Sequence, residues 1–173
     1  MVAGGSVENQ DDSIFNAATR EVLEETGLDI DVDCLTPMYL WESAFPTSID
    51  QGTPSRHHLI IYFHAKANLF TKEATKEEKY EKLLKMQLEE VATASWIDLN
   101  AVAAIHEHCN DPVTAEKKYQ DHTFQVYDID GNYRQSPFSV LFSNDSTIGN
   151  ERLTTGTRYL LKRWYDNSTK LNK

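Results

Sequence analysis

Three glutamates in one short stretch are the side chains best suited to chemistry in this chain. Glu21, Glu24 and Glu25 lie within five residues of one another, just after Arg20. On a helix, where successive residues are about 100° apart, Glu21 and Glu25 lie one above the other and Glu24 stands beside them. Like charges so placed repel, and a hard divalent cation, Mg²⁺ or Mn²⁺, would relieve that repulsion. The alternative is a solvated acidic helix face that binds nothing.

The residues around the glutamates predict the helix that would position them. Asp11, Asp12 and Ser13 offer an N-cap and early negative charge, and Gly27 can end the helix in the left-handed conformation. An apolar stripe along this helix consists of Ile14, Phe15, Ala17, Ala18 and Val22. The pattern therefore predicts a helix that packs by its apolar stripe and presents its carboxylates at the other edge.

Residues 4–28 resemble the Nudix box, the signature of hydrolases that act on a nucleoside diphosphate linked to another group. The signature is a Gly, five residues, a Glu and seven residues, followed by Arg-Glu-apolar-any-Glu-Glu-any-Gly-apolar. Residues 20–28 match its last nine positions without a departure. Counting back from Arg20 places the upstream acid at Asp12, so an Asp replaces the usual Glu and Gly5 stands one residue too early.

The loop variant resembles the subfamily of nucleoside diphosphate-linked moiety X motif 17 proteins. Further similarity lies in Trp41-Glu42-Ser43, in Pro46 and in Arg56-His57-His58, and it extends to about residue 99. The resemblance implies an α/β (α+β) fold, a Nudix-type α/β/α sandwich with a mixed sheet, as a single domain over residues 1–173. Because three residues precede the Gly pair, the N-terminal strands of that sandwich are expected to be missing.

The resemblance also implies a reaction, the hydrolysis of a phosphoanhydride with Mg²⁺ or Mn²⁺ as cofactor. The subfamily is described as hydrolysing 7-methylguanosine-capped RNA with release of methylated GDP, and this is the preferred expectation. Hydrolysis of CoA derivatives or dinucleoside polyphosphates remains open. A catalytically inactive Nudix-like binding module remains open as well.

The box residues take roles from both the pattern and the resemblance. Glu21 and Glu25 are the expected metal ligands, and Glu24 is expected to reach a second ion or a bound water. Arg20 is expected to hold a glutamate in place by a bidentate pair rather than to touch substrate. These four residues are the expected catalytic group.

Four further residues are candidates for substrate binding. Gly5 would let backbone amides of its loop face the substrate, and Glu8 is an accessory ligand candidate. His57 and His58 begin an apolar strand, so one of them is expected to face the core or the pocket. Glu90 is a candidate general base, with a plain surface residue as the alternative.

Composition limits the partners that this chain can take. The 173 residues carry a formal net charge of −10, which argues against nonspecific binding to DNA or other nucleic acid. No apolar run is long enough to cross a membrane, and the two cysteines show no disulfide or metal spacing. The expectation is a cytoplasmic protein that acts on a nucleotide or capped RNA, with its oligomeric state undetermined.

Hydrophobic periodicity predicts the remaining elements. Strands are expected at residues 28–32, 38–45 and 58–67, the last of them central and buried. Helices are expected at 71–90, 100–109 and 153–164, and a hairpin at 123–142 turns at Asp130-Gly131. Three aromatic residues could stack on a nucleobase or pack in the core, namely Tyr39, Trp41 and Phe45.

Overall fold

The computed structural model describes residues 3–46, 48–65, 85–87, 91–143 and 153–170. Its helices are α1 (Ile14–Thr26), α2 (Leu99–Asn110), α3 (Pro112–Lys118), α4 (Ser139–Phe142) and α5 (Thr155–Lys170). Its strands are β1 (Leu35–Phe45), β2 (Arg56–Ala65), β3 (Thr93–Ala94), β4 (Thr123–Asp128) and β5 (Tyr133–Pro137). This mixture confirms the expected α+β class. The helix predicted at 71–90 lies almost wholly outside the described residues.

The five described strands form two antiparallel sheets. Strand β1 pairs with β2, with an irregularity in register between Pro37 and Tyr39. Strand β4 lies between β3 and β5 in the second sheet. The β4–β5 hairpin turns through Gly131 at a φ of 79°, as its Asp-Gly sequence predicts. A mixed sheet contains at least one parallel pair of strands, whereas all pairings among the described strands are antiparallel.

The core lies where α2 packs on α5 and the second sheet. Ala101, Ala104 and Ile105 recur at the three- and four-residue spacing of one helix face and are almost fully buried. The small alanine side chains let the neighbouring elements approach α2 closely. The other core side chains include Ala115, Tyr119, Phe124, Val126, Phe138, Leu141, Phe142 and Leu153.

Helices cover both faces of the β1–β2 pair. Phe15 of α1 packs on Phe63, with ring centroids 5.2 Å apart. On the α5 side, a Cβ added at Gly156 would lie 2.9 Å from the hydroxyl of Tyr62, so the glycine permits close packing there. Because successive strand residues point to opposite faces, Tyr62 and Phe63 place α5 and α1 on opposite sides. This layering agrees with the expected α/β/α sandwich.

The aromatic residues of β1 divide between packing and exposure. Tyr39 and Trp41 pack on Tyr159 of α5, with centroid separations of 5.2 and 5.8 Å. The hydrogen bond with Tyr159 raises the pKa of Tyr39. Of the two expected roles, stacking on a nucleobase or packing within the fold, Tyr39 and Trp41 have the second. Phe45 is exposed at the end of the strand.

Three strand predictions are wrong in whole or in part. The return strand of the hairpin ends at Pro137 rather than at residue 142, because Ser139–Phe142 form α4. Residues 28–31 have no regular structure, and a single 3₁₀ turn follows at Val32–Cys34, where Asp31 Oδ1 accepts from Asp33 N at 3.0 Å. Strand β2 is neither central among the described strands nor buried, since Leu59 is 62% exposed and only Tyr62 is buried. Within the described ranges, no helix combines the length and apolarity needed to cross a bilayer.

Candidate active site

Local signals fix both ends of the acidic helix α1. Ser13 Oγ accepts a hydrogen bond from Asn16 N at 3.2 Å, which satisfies one free amide of the first turn. Gly27 adopts a φ of 72°, and its amide donates to Leu23 O at 2.8 Å. The predicted N-cap and glycine stop are both confirmed.

The buried face of α1 carries carboxylates. Ala17, Glu21 and Glu25 recur every four residues and are its buried side chains, with Glu21 8% and Glu25 7% exposed. Ile14 is exposed, and Ala18 and Val22 are only half-buried. The apolar stripe packs only through Phe15 and Ala17, and the prediction that the carboxylates lie at the other edge of the helix is wrong. Charged groups are rarely buried without a partner, so their surroundings decide what this face can do.

The glycine loop before α1 lies against these carboxylates. The Gly4 amide donates to Glu25 Oε2 at 3.2 Å. A Cβ added at Gly5 would lie 2.4 Å from Glu21 Oε1, closer than any real Cβ contact. The glycines therefore let the loop approach the glutamates of the chain itself, and the expected approach to a substrate stays a prediction.

Arg20 connects the loop to the helix. Its Nε and Nη2 donate to Asp11 Oδ1 and Oδ2 at 3.0 and 3.1 Å, a bidentate pair. Its Nη1 lies 2.9 Å from Glu21 Oε1 and 2.9 Å from Glu24 Oε2. Arg20 thus contacts Glu21 and Glu24, as expected, but only through one nitrogen. Its bidentate partner is Asp11 rather than a glutamate. These contacts, that with Asp11 foremost, raise the pKa of Arg20, which stays charged.

Asp11, rather than Asp12, is the upstream acid of the box. The Asp11 side chain is 4% exposed and also accepts from Glu8 N at 2.8 Å, whereas Asp12 is exposed. Five residues separate Gly5 from Asp11, as the Nudix signature requires, and eight then separate Asp11 from Arg20. The extra residue therefore follows the acid. Counting forward from Gly5, instead of back from Arg20, would have found it.

Asp11→Asn is expected to destabilise the protein at neutral pH, by a few degrees in Tm, because Arg20 loses its charged partner. The hydrogen bond from Arg20 lowers the pKa of Asp11, so the stabilisation is present above the unfolded-state pKa, about 3.9, and is lost as pH falls through the lower folded-state value. Thermal unfolding between pH 3 and 7 measures this. The two Tm curves should converge at the acid end.

Asp12→Asn is the matched control for that prediction, because Asp12 is exposed one residue away. It should change Tm little at any pH. An Asp12→Asn variant that loses as much stability as Asp11→Asn would contradict the assignment of Asp11 as the partner of Arg20.

The donors around α1 suit a hard cation held by two carboxylates. No group of three acidic, histidine or cysteine side chains converges on a common metal position within the described part of the chain. Glu21 and Glu25 nevertheless place oxygen donors on one buried face, as Mg²⁺ and Mn²⁺ prefer. Glu24 is 45% exposed and pairs with Arg20. An exposed pair of this kind contributes only about 0–1 kcal/mol, so Glu24 can exchange it for a cation or a bound water.

The other candidate residues are exposed or lie outside the described residues. Glu8 is exposed, and its Oε2 accepts from Gln10 Nε2 at 2.7 Å. His57 is 58% exposed and pairs with Glu42 at 2.7 Å, and His58 is exposed as well. The expectation that one of these histidines faces the core or a pocket is wrong. Glu90 lies outside the described residues.

A cleft of about 160 Å³ opens beside the C-terminal end of α1. It runs from Glu25 and Thr26 to the segment that contains β3. The remaining lining residues are Ala3, Leu28, Val91, Thr93, Ala94, Ser95 and Trp96. Sequence reasoning gave Trp96 no place in the site. Trp96 lies two residues after β3, and because tryptophans most often pack in cores, its residue type alone did not indicate a place beside α1.

Comparison with known proteins supports the resemblance seen in the sequence. The NUDIX domain family matches residues 2–117. The chain is 30% identical over 171 residues to the m7GpppN-mRNA hydrolase NUDT17 of Danio rerio, covering 93% of this chain and 55% of that protein. The corresponding Xenopus laevis protein is 32% identical over 170 residues, covering 94% and 54%.

The human protein of the same name is 26% identical over 172 residues, covering 93% of this chain and 50% of its own length. The similarity thus extends well beyond residue 99, the limit expected from the sequence. The chain spans about half the length of the relatives that it matches.

Proposed function

The chain belongs to the Nudix family, and on that premise we propose that it hydrolyses a nucleoside diphosphate linked to another moiety, with a divalent cation as cofactor. The preferred substrate in this proposal is 7-methylguanosine-capped RNA, and the product is methylated GDP. The observation that carries the proposal is the burial of Glu21 and Glu25, one helical turn apart, behind a glycine loop.

Burial of this carboxylate pair supports a cation site. Two like charges one turn apart repel, and their removal from water adds a desolvation cost. Arg20 reaches Glu21 with one nitrogen while its other donors are engaged by Asp11. Asp11, Glu21 and Glu24 share this one guanidinium, which neutralises the three carboxylates only in part. A cation would compensate the remaining charge.

The cofactor and the side chains have separate tasks in this proposal. When bound by Glu21 and Glu25, Mg²⁺ or Mn²⁺ supplies charge neutralisation for the diphosphate and lowers the pKa of a coordinated water. Arg20, fixed by Asp11, orients Glu21 and Glu24. Gly5 leaves the space that the Glu21 carboxylate occupies. Catalysis then rests on positioning and electrostatic stabilisation.

The choice of capped RNA rests on the relatives, each of which bears the name m7GpppN-mRNA hydrolase. A net charge of −10 agrees with a substrate bound through cations rather than through a broad basic surface. Cys34 and Cys109 are free thiols, which agrees with a cytoplasmic protein. Glu90 remains a candidate general base.

A substrate panel tests the proposal. Capped RNA, CoA derivatives and dinucleoside polyphosphates are incubated with the protein in Mg²⁺, in Mn²⁺ and in excess EDTA, and the released nucleotides are identified. Methylated GDP should be released from capped RNA, and EDTA should lower its rate at least about 100-fold, since metal catalysis contributes several kcal/mol. Turnover that persists in EDTA would contradict the cofactor assignment. Folded protein that cleaves no substrate in either metal would favour the non-catalytic binding module.

A further inference from the structure

The proposed reaction assigns no role to the cleft between α1 and the β3 segment, although Glu25 is one of the residues that line this cleft. We propose that this cleft binds the nucleobase of the substrate, with the base stacked on the indole of Trp96. The inference rests on the proposed function, because it assigns the position of the base for the same nucleotide substrate.

The size of the cleft selects a ring rather than a whole nucleotide. Its volume is about 160 Å³. A cavity of about 150 Å³ accepts a benzene molecule, whereas pockets for larger ligands have volumes of about 300–1,000 Å³. A single ring system can therefore enter, and the sugar and phosphates must stay outside.

The lining is suited to a flat ring. Trp96 is half-buried and is the one aromatic side chain among the described residues of the lining. Small side chains such as Ala3, Thr26 and Ala94 leave the space free. An indole of this kind offers a broad π face, on which base stacking contributes to binding independently of base identity.

The segment that carries Trp96 is held in place before any ligand arrives. Ser95 Oγ donates to Gln125 O on β4 at 2.6 Å. The two residues of β3 pair with β4 in antiparallel register, Thr93 opposite Asp128 and Ala94 opposite Tyr127. The stacking surface therefore does not have to be ordered by the ligand, which reduces the entropic cost of binding.

The aromatic lining of the cleft favours a cationic ring. The face of the Trp96 indole, which lines it, carries the negative part of the ring quadrupole. Methylation at N7 gives guanine a positive charge that unmodified guanine lacks. The cleft should therefore prefer the methylated base, and this preference distinguishes it from a general stacking site.

The test is ligand binding in the presence of Mg²⁺, because the cation is proposed to neutralise the diphosphate, and methylated GDP is already the product of the proposed reaction. Methylated GDP and GDP are titrated against the protein while tryptophan fluorescence is recorded. Methylated GDP should quench the fluorescence and bind at least about fivefold more tightly than GDP. Trp96→Leu should raise the Kd for methylated GDP about 5- to 100-fold. Trp164→Leu, which removes a half-buried tryptophan on α5, is the control and should leave that Kd unchanged.

A second variant covers the case in which Trp96→Leu fails to fold. Trp96→Phe keeps a ring but has a weaker quadrupole, so it should retain binding of both nucleotides and lose most of the preference for the methylated one. An unchanged Kd in folded Trp96→Leu, or an unchanged preference in Trp96→Phe, would overturn the inference. Wild-type protein that binds methylated GDP but cleaves nothing in Mg²⁺ would refute the proposed function alone.

Discussion

Glu25→Gln should lower the turnover of the capped substrate at least about 100-fold, while the Tm stays unchanged or rises. The buried carboxylate at 7% exposure is a proposed cation ligand, and a neutral amide is a poor one. Stability should not fall, because the substitution removes a buried charge that repels Glu21. The amide oxygen can still accept the hydrogen bond from the Gly4 amide.

Glu116→Gln on α3 is the matched control, since Glu116 is an exposed glutamate whose partner is His108. Steady-state rates and thermal unfolding are measured on both variants. Retained turnover in Glu25→Gln would refute the assignment of this carboxylate. A large loss of Tm in the same variant would show instead that the charge stabilises the fold.

Gly5→Ala should be the most damaging of the single-methyl substitutions in the loop. The added Cβ would lie 2.4–2.5 Å from the Glu21 carboxyl group. The end of a flexible side chain can move aside, so the Tm should fall by only a few degrees. The displaced carboxylate should nevertheless lower the rate about 100-fold, because a misplacement of about 1 Å can have that effect.

Gly4→Ala is the internal control for that experiment. An added Cβ at Gly4 meets no atom within 4 Å, and its amide remains available to Glu25. The two alanine variants should therefore differ much more in their rates than in their Tm values. Equal losses in both variants would contradict the steric argument and would point to loop flexibility as the requirement.

The bounds of α1 follow from local chemistry and could be predicted from the sequence. Ser13 and Gly27 act on backbone groups within a few residues, so their effect depends little on the rest of the chain. The same holds for α2, predicted at 100–109 and found at Leu99–Asn110. The box motif also identified the chemistry, because its residues are contiguous.

The direction in which α1 faces could not be predicted, because it depends on tertiary contacts. Apolar residues usually face inward, and this rule places the glutamates outside. In the fold, the glycine loop and Arg20 lie against Glu21 and Glu25, and the carboxylate face is the buried one. The exception occurs where function is proposed, which is where local rules are expected to fail.

The predictions of the burial of strand β2 and of the identity of the upstream acid were wrong for different reasons. The apolar run around Leu59 suggested a buried strand, but burial of a strand depends on its partners, and its pairing here is with β1. Asp11 and Asp12 are chemically identical, and only the fold shows which of them reaches Arg20. Trp96 lines a cleft beside α1 although the two are far apart in sequence, so only the fold brings them together.

The central claim is that Glu21 and Glu25 hold the divalent cation of the reaction. Titration of the protein with Mn²⁺, followed by the paramagnetic resonance signal of the free ion, tests it most directly. Wild-type protein and Glu116→Gln should bind Mn²⁺ alike, and Glu21→Gln and Glu25→Gln should each weaken its binding at least about tenfold. Mn²⁺ affinity that is absent in the wild type, or unchanged when both carboxylates are replaced, would contradict the claim.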